Sequence, residues 1–149
     1  MNPSPHMARA LAEAEAAGAR GEVPVGAVLV DGGGAVIAAD GNRVVELHDP
    51  TAHAEMLVLR RAAQMNGGER LAGCDLYVTL EPCAMCAAAI ALARVRKLVY
   101  GAPDPKGGGV EHGARIFHQP TCNHRPEVIG GVGESRAAQL LQEFFRARR

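Results

Sequence analysis

From Cys83 to Ala93 every side chain is apolar, and the chain contains no longer uninterrupted apolar run. These 11 residues fall well short of the roughly 20 needed to cross a bilayer. A helix built from them is small and apolar on nearly every side, so it has no face to turn to water and belongs in a core. In 149 residues there is room for one domain that encloses it, and a single domain over residues 1–149 is expected.

The rest of the chain supplies the cover. Met7, Ala10, Leu11, Ala14 and Ala17 recur at helical spacing, which gives a helix over 6–20 ended by Gly18 or Gly21. Residues 23–30 are β-branched and apolar, 31–34 make a turn, and 35–40 return as a second strand. A loop over 41–51 holds Asn42, His48 and Pro50, and Thr51 is placed to cap a helix over 52–66 that stops at Gly67-Gly68. A short strand over 75–80 leads to Pro82, which opens the apolar helix ending near Ala93. Lys97 to Tyr100 is a strand, 101–109 a Gly/Pro-rich loop, 127–129 a short last strand, and 134–148 a terminal helix. Residues 110–125 show no clear period. Strands alternating with helices give an α/β fold, a three-layer α/β/α domain, whose sheet of about five strands is mixed because it opens with a hairpin.

Composition narrows the classes further. With 48% apolar and 21% charged residues the chain is not mostly disordered. Sixteen basic side chains balance sixteen acidic ones, so no global field attracts a polyanion. Residues 1–75 carry six basic against ten acidic groups and 76–149 carry ten against six, so any nucleic-acid contact is a local patch. Four cysteines are too sparse for a disulfide scaffold, and Glu13 and Glu15 interrupt the only apolar stretch near the N-terminus. A cytoplasmic location without membrane association is expected.

Two segments carry the chemistry: His53-Ala54-Glu55, opening the second helix, and Pro82-Cys83-Ala84-Met85-Cys86, opening the third. Positions i and i+3 share a helix face, so Cys83 and Cys86 can point at one atom. A helix N-terminus favours thiolate over thiol, and thiolate is the form that binds zinc. His53 lies 30 residues before Cys83, too far for a compact finger. One His and two Cys make three protein ligands, the count of an open zinc site with a fourth position for water. Zinc brings the pKa of bound water from 15.7 to about 7. Glu55 stands beside the metal without binding it. This set suits hydrolytic attack on an sp² carbon bearing an amine, with Glu55 taking a proton from water and passing protons to a ring nitrogen and to departing ammonia.

Blander readings stand beside this one. A lone Cys-x-x-Cys is also a redox pair, and a structural zinc would draw a fourth ligand from Cys74, His48 or Cys122. A zinc-stabilised binding module needs no turnover at all. Glu55 favours the catalytic site, because none of these readings uses it. Cys74 and Cys122 read as small buried apolar residues. His6, His112 and His118 read as ordinary surface or loop histidines, while His48 and His124 stay open.

Thr51-Ala52-His53-Ala54-Glu55 and Thr79-Leu80-Glu81-Pro82-Cys83-Ala84-Met85-Cys86 follow the H-x-E…P-C-x-x-C pattern, and the chain resembles the zinc-dependent nucleobase deaminases. From about residue 7 to 149 it is similar to their bacterial tRNA-specific adenosine deaminases. The segments Glu22-Val23-Pro24-Val25-Gly26-Ala27-Val28, Gly41-Asn42-Arg43, Tyr100 to Lys106, Asn123-His124-Arg125 and Phe144-Phe145-Arg146 carry that closer likeness. The resemblance implies a cytidine deaminase-like fold, one Zn2+ per subunit on His53, Cys83 and Cys86, and Glu55 as proton shuttle. It implies that Asn42 hydrogen-bonds a flipped adenine in a pocket lined by Val25 and the Ala54 backbone. Asp104 and Lys106 would meet the nucleotides beside it, and Phe145, Arg146, Arg148 and Arg149 the anticodon-loop RNA. The implied partner is a tRNA anticodon stem-loop, the reaction is wobble adenosine to inosine, and the working unit is a homodimer with no nucleotide cofactor. The alternative is the same site acting on free guanine, cytosine or adenosine; Asp104-Pro105-Lys106 and the basic end of the terminal helix favour RNA. Residues 110–120 depart from the family pattern, and the turn at 31–34 is one residue longer.

Overall fold

In a computed structural model, residues 4–148 are described. Along them run α1 (Pro5–Ala19), β1 (Gly26–Val30), β2 (Val36–Gly41), α2 (Ala54–Asn66), β3 (Asp75–Leu80), α3 (Ala84–Ala93), β4 (Lys97–Ala102), a 3₁₀ turn (Ile116–His118), β5 (Glu127–Ile129) and α4 (Glu134–Arg146). The strands form one sheet in the order β2-β1-β3-β4-β5. β1 is antiparallel to both β2 and β3, while β3, β4 and β5 are parallel, so the sheet is mixed as expected. Helices α2 and α3 cover one face, and α1 and α4 the other.

Alternation along the strands builds two cores. Ala27 and Leu29 of β1, Leu76 and Val78 of β3, and Leu98 and Tyr100 of β4 face α2 and α3. Val28, Val30 and Val99 face α1 and α4. All five residues of β1 are buried, because both faces of this inner strand are covered. The apolar helix α3 is enclosed on its inward side only: Cys86, Ala87 and Ile90 are fully buried, whereas Ala84 and Leu92 are exposed, so the expected all-round burial is not reached in the single chain.

Local hydrogen bonds move several element ends from their sequence-based positions. Thr51 does not cap α2: its hydroxyl and N–H both go to Asp49 Oδ1 (2.7 and 2.9 Å), and the N-cap residue is His53. The free N–H of Ala54 is taken instead by Asn42 Oδ1 at 2.8 Å. Pro82 likewise lies outside α3. Its carbonyl accepts the N–H of Gly109 (2.8 Å), and Cys83 becomes the N-cap. β1 starts at Gly26 rather than 23, since Val25 N–H turns back onto the carbonyl of Val23. β2 begins one residue later than expected, β4 runs two residues further, and α4 stops at Arg146.

Antiparallel pairing on both sides of β1 makes β2 and β3 run the same way, and β4 joins them. Their carboxyl ends, Gly41, Leu80 and Ala102, therefore lie along one edge of the sheet, where β1 begins at Gly26. α1 crosses this edge closely: a Cβ on Gly26 would stand 2.0 Å from the Ala10 carbonyl oxygen and 2.6 Å from the Ala14 nitrogen. Backbone cannot yield as a flexible side chain does. Gly26→Ala is expected to lower unfolding free energy by about 3 kcal/mol, the upper part of the range for overpacking. Urea denaturation followed by circular dichroism checks this, and an unchanged midpoint would contradict the packing described.

Candidate active site

The carboxyl edge of an α/β sheet is where loops leave the strands and helix N-termini arrive, and ligands bind there as a rule. His53 and Cys83 occupy the same station in α2 and α3. Each is the N-cap residue with extended backbone, and neither spends its side chain on its own helix. Both side chains are thus free to leave the helix ends. Since α2 packs on α3, the two meet, and Cys86 joins them one turn into α3.

His53 Nδ1 lies 3.6 Å from Cys83 Sγ and 3.5 Å from Cys86 Sγ. A tetrahedral zinc with Zn–N of about 2.0 Å and Zn–S of about 2.3 Å sets an N···S edge of roughly 3.5–3.6 Å. Both N···S edges of the donor triangle have the length zinc requires. Among the described residues this is the only His, Cys, Asp or Glu cluster able to hold a metal ion. Cys74, His48 and Cys122 are not part of it, so no fourth protein ligand closes the site. Cys74 is buried as expected, whereas Cys122 is half-buried with its thiol donating to the His124 carbonyl. The His124 ring bonds the carbonyl of Val95 at 2.6 Å, a structural tie.

Protons are shared tightly across the triangle. Its hydrogen bond to Cys83 raises the His53 imidazole above its usual range. The bond from Cys86 brings Cys83 down to about 4, and the same bond together with burial pushes the Cys86 thiol up. A divalent cation replaces such a shared proton and releases it. Two helix N-termini aimed at the sulfurs support the thiolate charge. Glu55, in the first turn of α2 and only 4% exposed, is pushed up to about 7 by burial, so it can hold or release a proton near neutrality.

A cavity of about 390 Å³ opens over this corner. Val25, Asn42, His53, Glu55, Cys83 and Asp104 line it together, so the structure gathers six of the residues singled out from sequence. Asn42 gives its amide oxygen to Ala54 N–H, which leaves the NH2 group as the donor facing the cavity. Ala54 is fully buried behind the lining, its N–H already used. Asp104 accepts the N–H groups of Lys106 and Gly107 (3.2 and 2.9 Å), which curls the loop and leaves Lys106 exposed outside the lining. Phe145 and Arg146 sit apart, exposed on α4, which lies on the other face of the sheet. The Arg148 guanidinium stacks 3.5 Å from the Phe144 ring centroid. Arg149 falls outside the described residues.

Two acidic residues of the lining were not singled out for this role from sequence. Glu22 and Glu81 are each 2% exposed. Glu81 accepts the N–H groups of Asp104 (3.0 Å), Val110 (3.2 Å), Glu111 (2.9 Å) and His112 (3.1 Å), and bonds the His112 ring at 2.7 Å. These bonds hold its carboxyl below the usual range against the cost of burial. Only the acidic residue itself, flush with the end of a buried strand and beside Pro82-Cys83, signals it in the sequence. His112 is therefore not an idle loop histidine.

An α/β/α sheet that presents three N/S metal donors and a buried carboxyl at paired helix N-termini defines a metal-dependent deaminase. The family model of the MafB19-like deaminases matches residues 1–149, and the chain belongs to that family. It is 61% identical over 143 residues to the tRNA-specific adenosine deaminase of Agrobacterium fabrum (strain C58), covering 96% of this chain and 93% of that one. A solved structure from work on tRNA:A34 deaminases that edit A to I at the wobble position superposes with a TM-score of 0.89 at 61% identity, covering 91% of this chain and 98% of that one. A guanine deaminase from Nitrosomonas europaea superposes with a TM-score of 0.80 at 26% identity, covering 95% of this chain and 85% of that one. The expected family and fold both hold.

His53→Ala is expected to reduce bound zinc to near zero after dialysis, while Glu55→Gln keeps about one zinc per chain. Mass-spectrometric metal counting reads both. Full zinc content in His53→Ala would contradict the donor triangle.

Proposed function

We propose that this chain is a zinc-dependent enzyme that deaminates the wobble adenosine of a tRNA anticodon loop to inosine by hydrolysis. The reading takes residues 1–149 as one catalytic domain, working as a homodimer in the cytoplasm. The observation that carries it is the zinc-sized triangle of His53, Cys83 and Cys86, open on the fourth side, with Glu55 buried beside it in one cavity. The 61% identity to a tRNA-specific adenosine deaminase supports the choice of base and polymer. Leu92, 71% exposed on the apolar helix α3, supports a second copy as cover.

Zinc held on these three residues supplies a Lewis acid that makes water a nucleophile at neutral pH. The remaining work falls to the protein. Glu55 accepts one proton from the attacking water and delivers it to the ring nitrogen beside the amine-bearing carbon. It then takes the second from the hydroxyl now on that carbon and delivers it to the amine, which leaves as ammonia while the carbonyl forms. An adenine already unstacked in a loop enters with little unpairing cost, and the Asn42 NH2 group donates to a ring acceptor while Val25 packs on the base. Asp104 and Lys106, at the lip, face the neighbouring nucleotides. Phe145, Arg146, Arg148 and Arg149 form the more distant contact with the loop backbone. With no Trp and 3% aromatic residues, binding leans on charge more than on stacking.

Zinc-loaded protein given an anticodon stem-loop with adenosine at the wobble position is expected to form inosine, and Glu55→Ala to lose at least about a hundredfold in rate with zinc retained. Guanine, cytosine and adenosine run alongside. Turnover of a free base with the stem-loop untouched would overturn the RNA substrate. Replacing Arg146 and Arg148 by Ala is expected to weaken stem-loop binding and to flatten its salt dependence by roughly 0.7 in log–log slope per lost phosphate contact. Equal affinity and slope in the double variant would remove this helix end from the RNA surface.

A further inference from the structure

Glu22 is a buried carboxylate for which the deamination chemistry has no use. Its own N–H is fixed to the Ala17 carbonyl at the end of α1 (2.9 Å), so its position is set by the helix and not by the cavity. Both carboxylate oxygens then reach across to a different segment. Oε1 accepts the N–H of Val45 (3.1 Å) and Oε2 the N–H of Glu46 (2.9 Å). Among the described residues it forms no ion pair. A charge that is 2% exposed is thus satisfied by two backbone amides of one loop tip.

That tip is a compact turn fastened at its base. The hydrogen bonds from Leu47 to Arg43, His48 to Val45 and Asp49 to Val44 stay within residues 43–49. The two ends are tied to Ala52, Arg43 N–H donating to the Ala52 carbonyl (3.0 Å) and Ala52 N–H to the Asp49 carbonyl (3.1 Å). Val44 and Val45 nevertheless form part of the cavity wall, on the chain that follows Asn42. Val45 is 66% exposed, so its own packing does little to fix it. Among the hydrogen bonds of Val45 and Glu46 backbone amides, only those to Glu22 tie the wall to the body of the protein.

We infer that Glu22 is a positioning residue for substrate binding: by docking the 43–49 loop through Val45 and Glu46 it sets the width of the cavity mouth. This rests on the deaminase reading above, and it separates from it in the test. Among the described residues the hydrogen bonds of Glu22 go to Val45, Glu46 and Ala17, and none to α2 or α3, which bring Glu55 and the metal donors. Loss of the tie therefore weakens binding of the base and its neighbours and leaves the chemical step alone.

Glu22→Ala and Glu22→Gln, zinc-loaded and full-length, are compared with wild type in steady-state inosine formation from the stem-loop. KM is expected to rise roughly tenfold in Glu22→Ala and less in Glu22→Gln, which keeps one acceptor, with kcat within about threefold of wild type. Amide exchange at Val45 and Glu46 is expected to accelerate in the same order. Unchanged KM with accelerated exchange would overturn the proposal, as would a fall in kcat at constant KM. Should Glu22→Ala fail to fold, Glu22→Gln decides by the same two readouts. If wild type turns over guanine and not the stem-loop, the RNA reading fails, and the KM comparison on guanine still decides the role of Glu22.

Discussion

Two helices begin at one edge of the sheet, and the rest of the site depends on that convergence. β1 pairs antiparallel with both β2 and β3, so these two strands end at one edge of the sheet with the start of β1 between them, and α2 and α3 follow them on the same face. His53 and Cys83 are then N-cap residues of neighbouring helices, close enough to share an atom. Cys86 is added by the i, i+3 geometry of a helix. Glu55 comes from the first turn of α2, two residues past the N-cap His53, and is buried. None of these positions is set by a long flexible loop, which gives a metal site the rigidity that its short bond lengths demand.

Buried carboxylates hold the walls around this fixed corner. An unsatisfied buried N–H costs about 1–3 kcal/mol, so a carboxylate placed among several of them dictates where their loop lies. Glu81, at the end of β3, gathers four amides and the His112 ring from residues 104–112. It thereby ties the wall bearing Asp104 to the strand that leads into Cys83. Glu22 does the same with two amides for the opposite wall. Asn42 fills the remaining gap: its oxygen caps α2 at Ala54, its N–H goes to Val25, and its carbonyl takes a hydrogen bond from Arg20. With its backbone held at both the N–H and the carbonyl and its side-chain oxygen held by Ala54, Asn42 presents its NH2 group in one direction.

Much of this was legible in the chain. The helical recurrence of Met7 to Ala17, the β-branched run into Val30 and the apolar stretch through Ile90 are local signals, and each forms the element that it indicates. His53, Glu55, Cys83 and Cys86 could be read because metal chemistry restricts residue type and spacing together. What could not be read depends on single long-range bonds. Thr51 looks like a helix cap until Asp49 takes its hydroxyl, and Pro82 looks like a first helical residue until Gly109 takes its carbonyl. Residues 110–125 have no period because their start hangs on the Glu81 carboxylate and Phe117 is buried from a 3₁₀ turn of three residues. A carboxylate that receives amides from a distant loop leaves no pattern in its neighbours, which is why Glu22 and Glu81 appear only in three dimensions.

The central claim is an open metal centre with one nitrogen and two sulfur donors from the protein. X-ray absorption at the zinc K-edge of the zinc-loaded chain tests it without reference to substrate. Two sulfurs at about 2.3 Å and two nitrogen or oxygen neighbours at about 2.0–2.1 Å are expected, the second of these being exchangeable water. A shell of three or four sulfurs, or of one, would contradict the site as described and with it the assignment of Glu55 as the group that carries the proton.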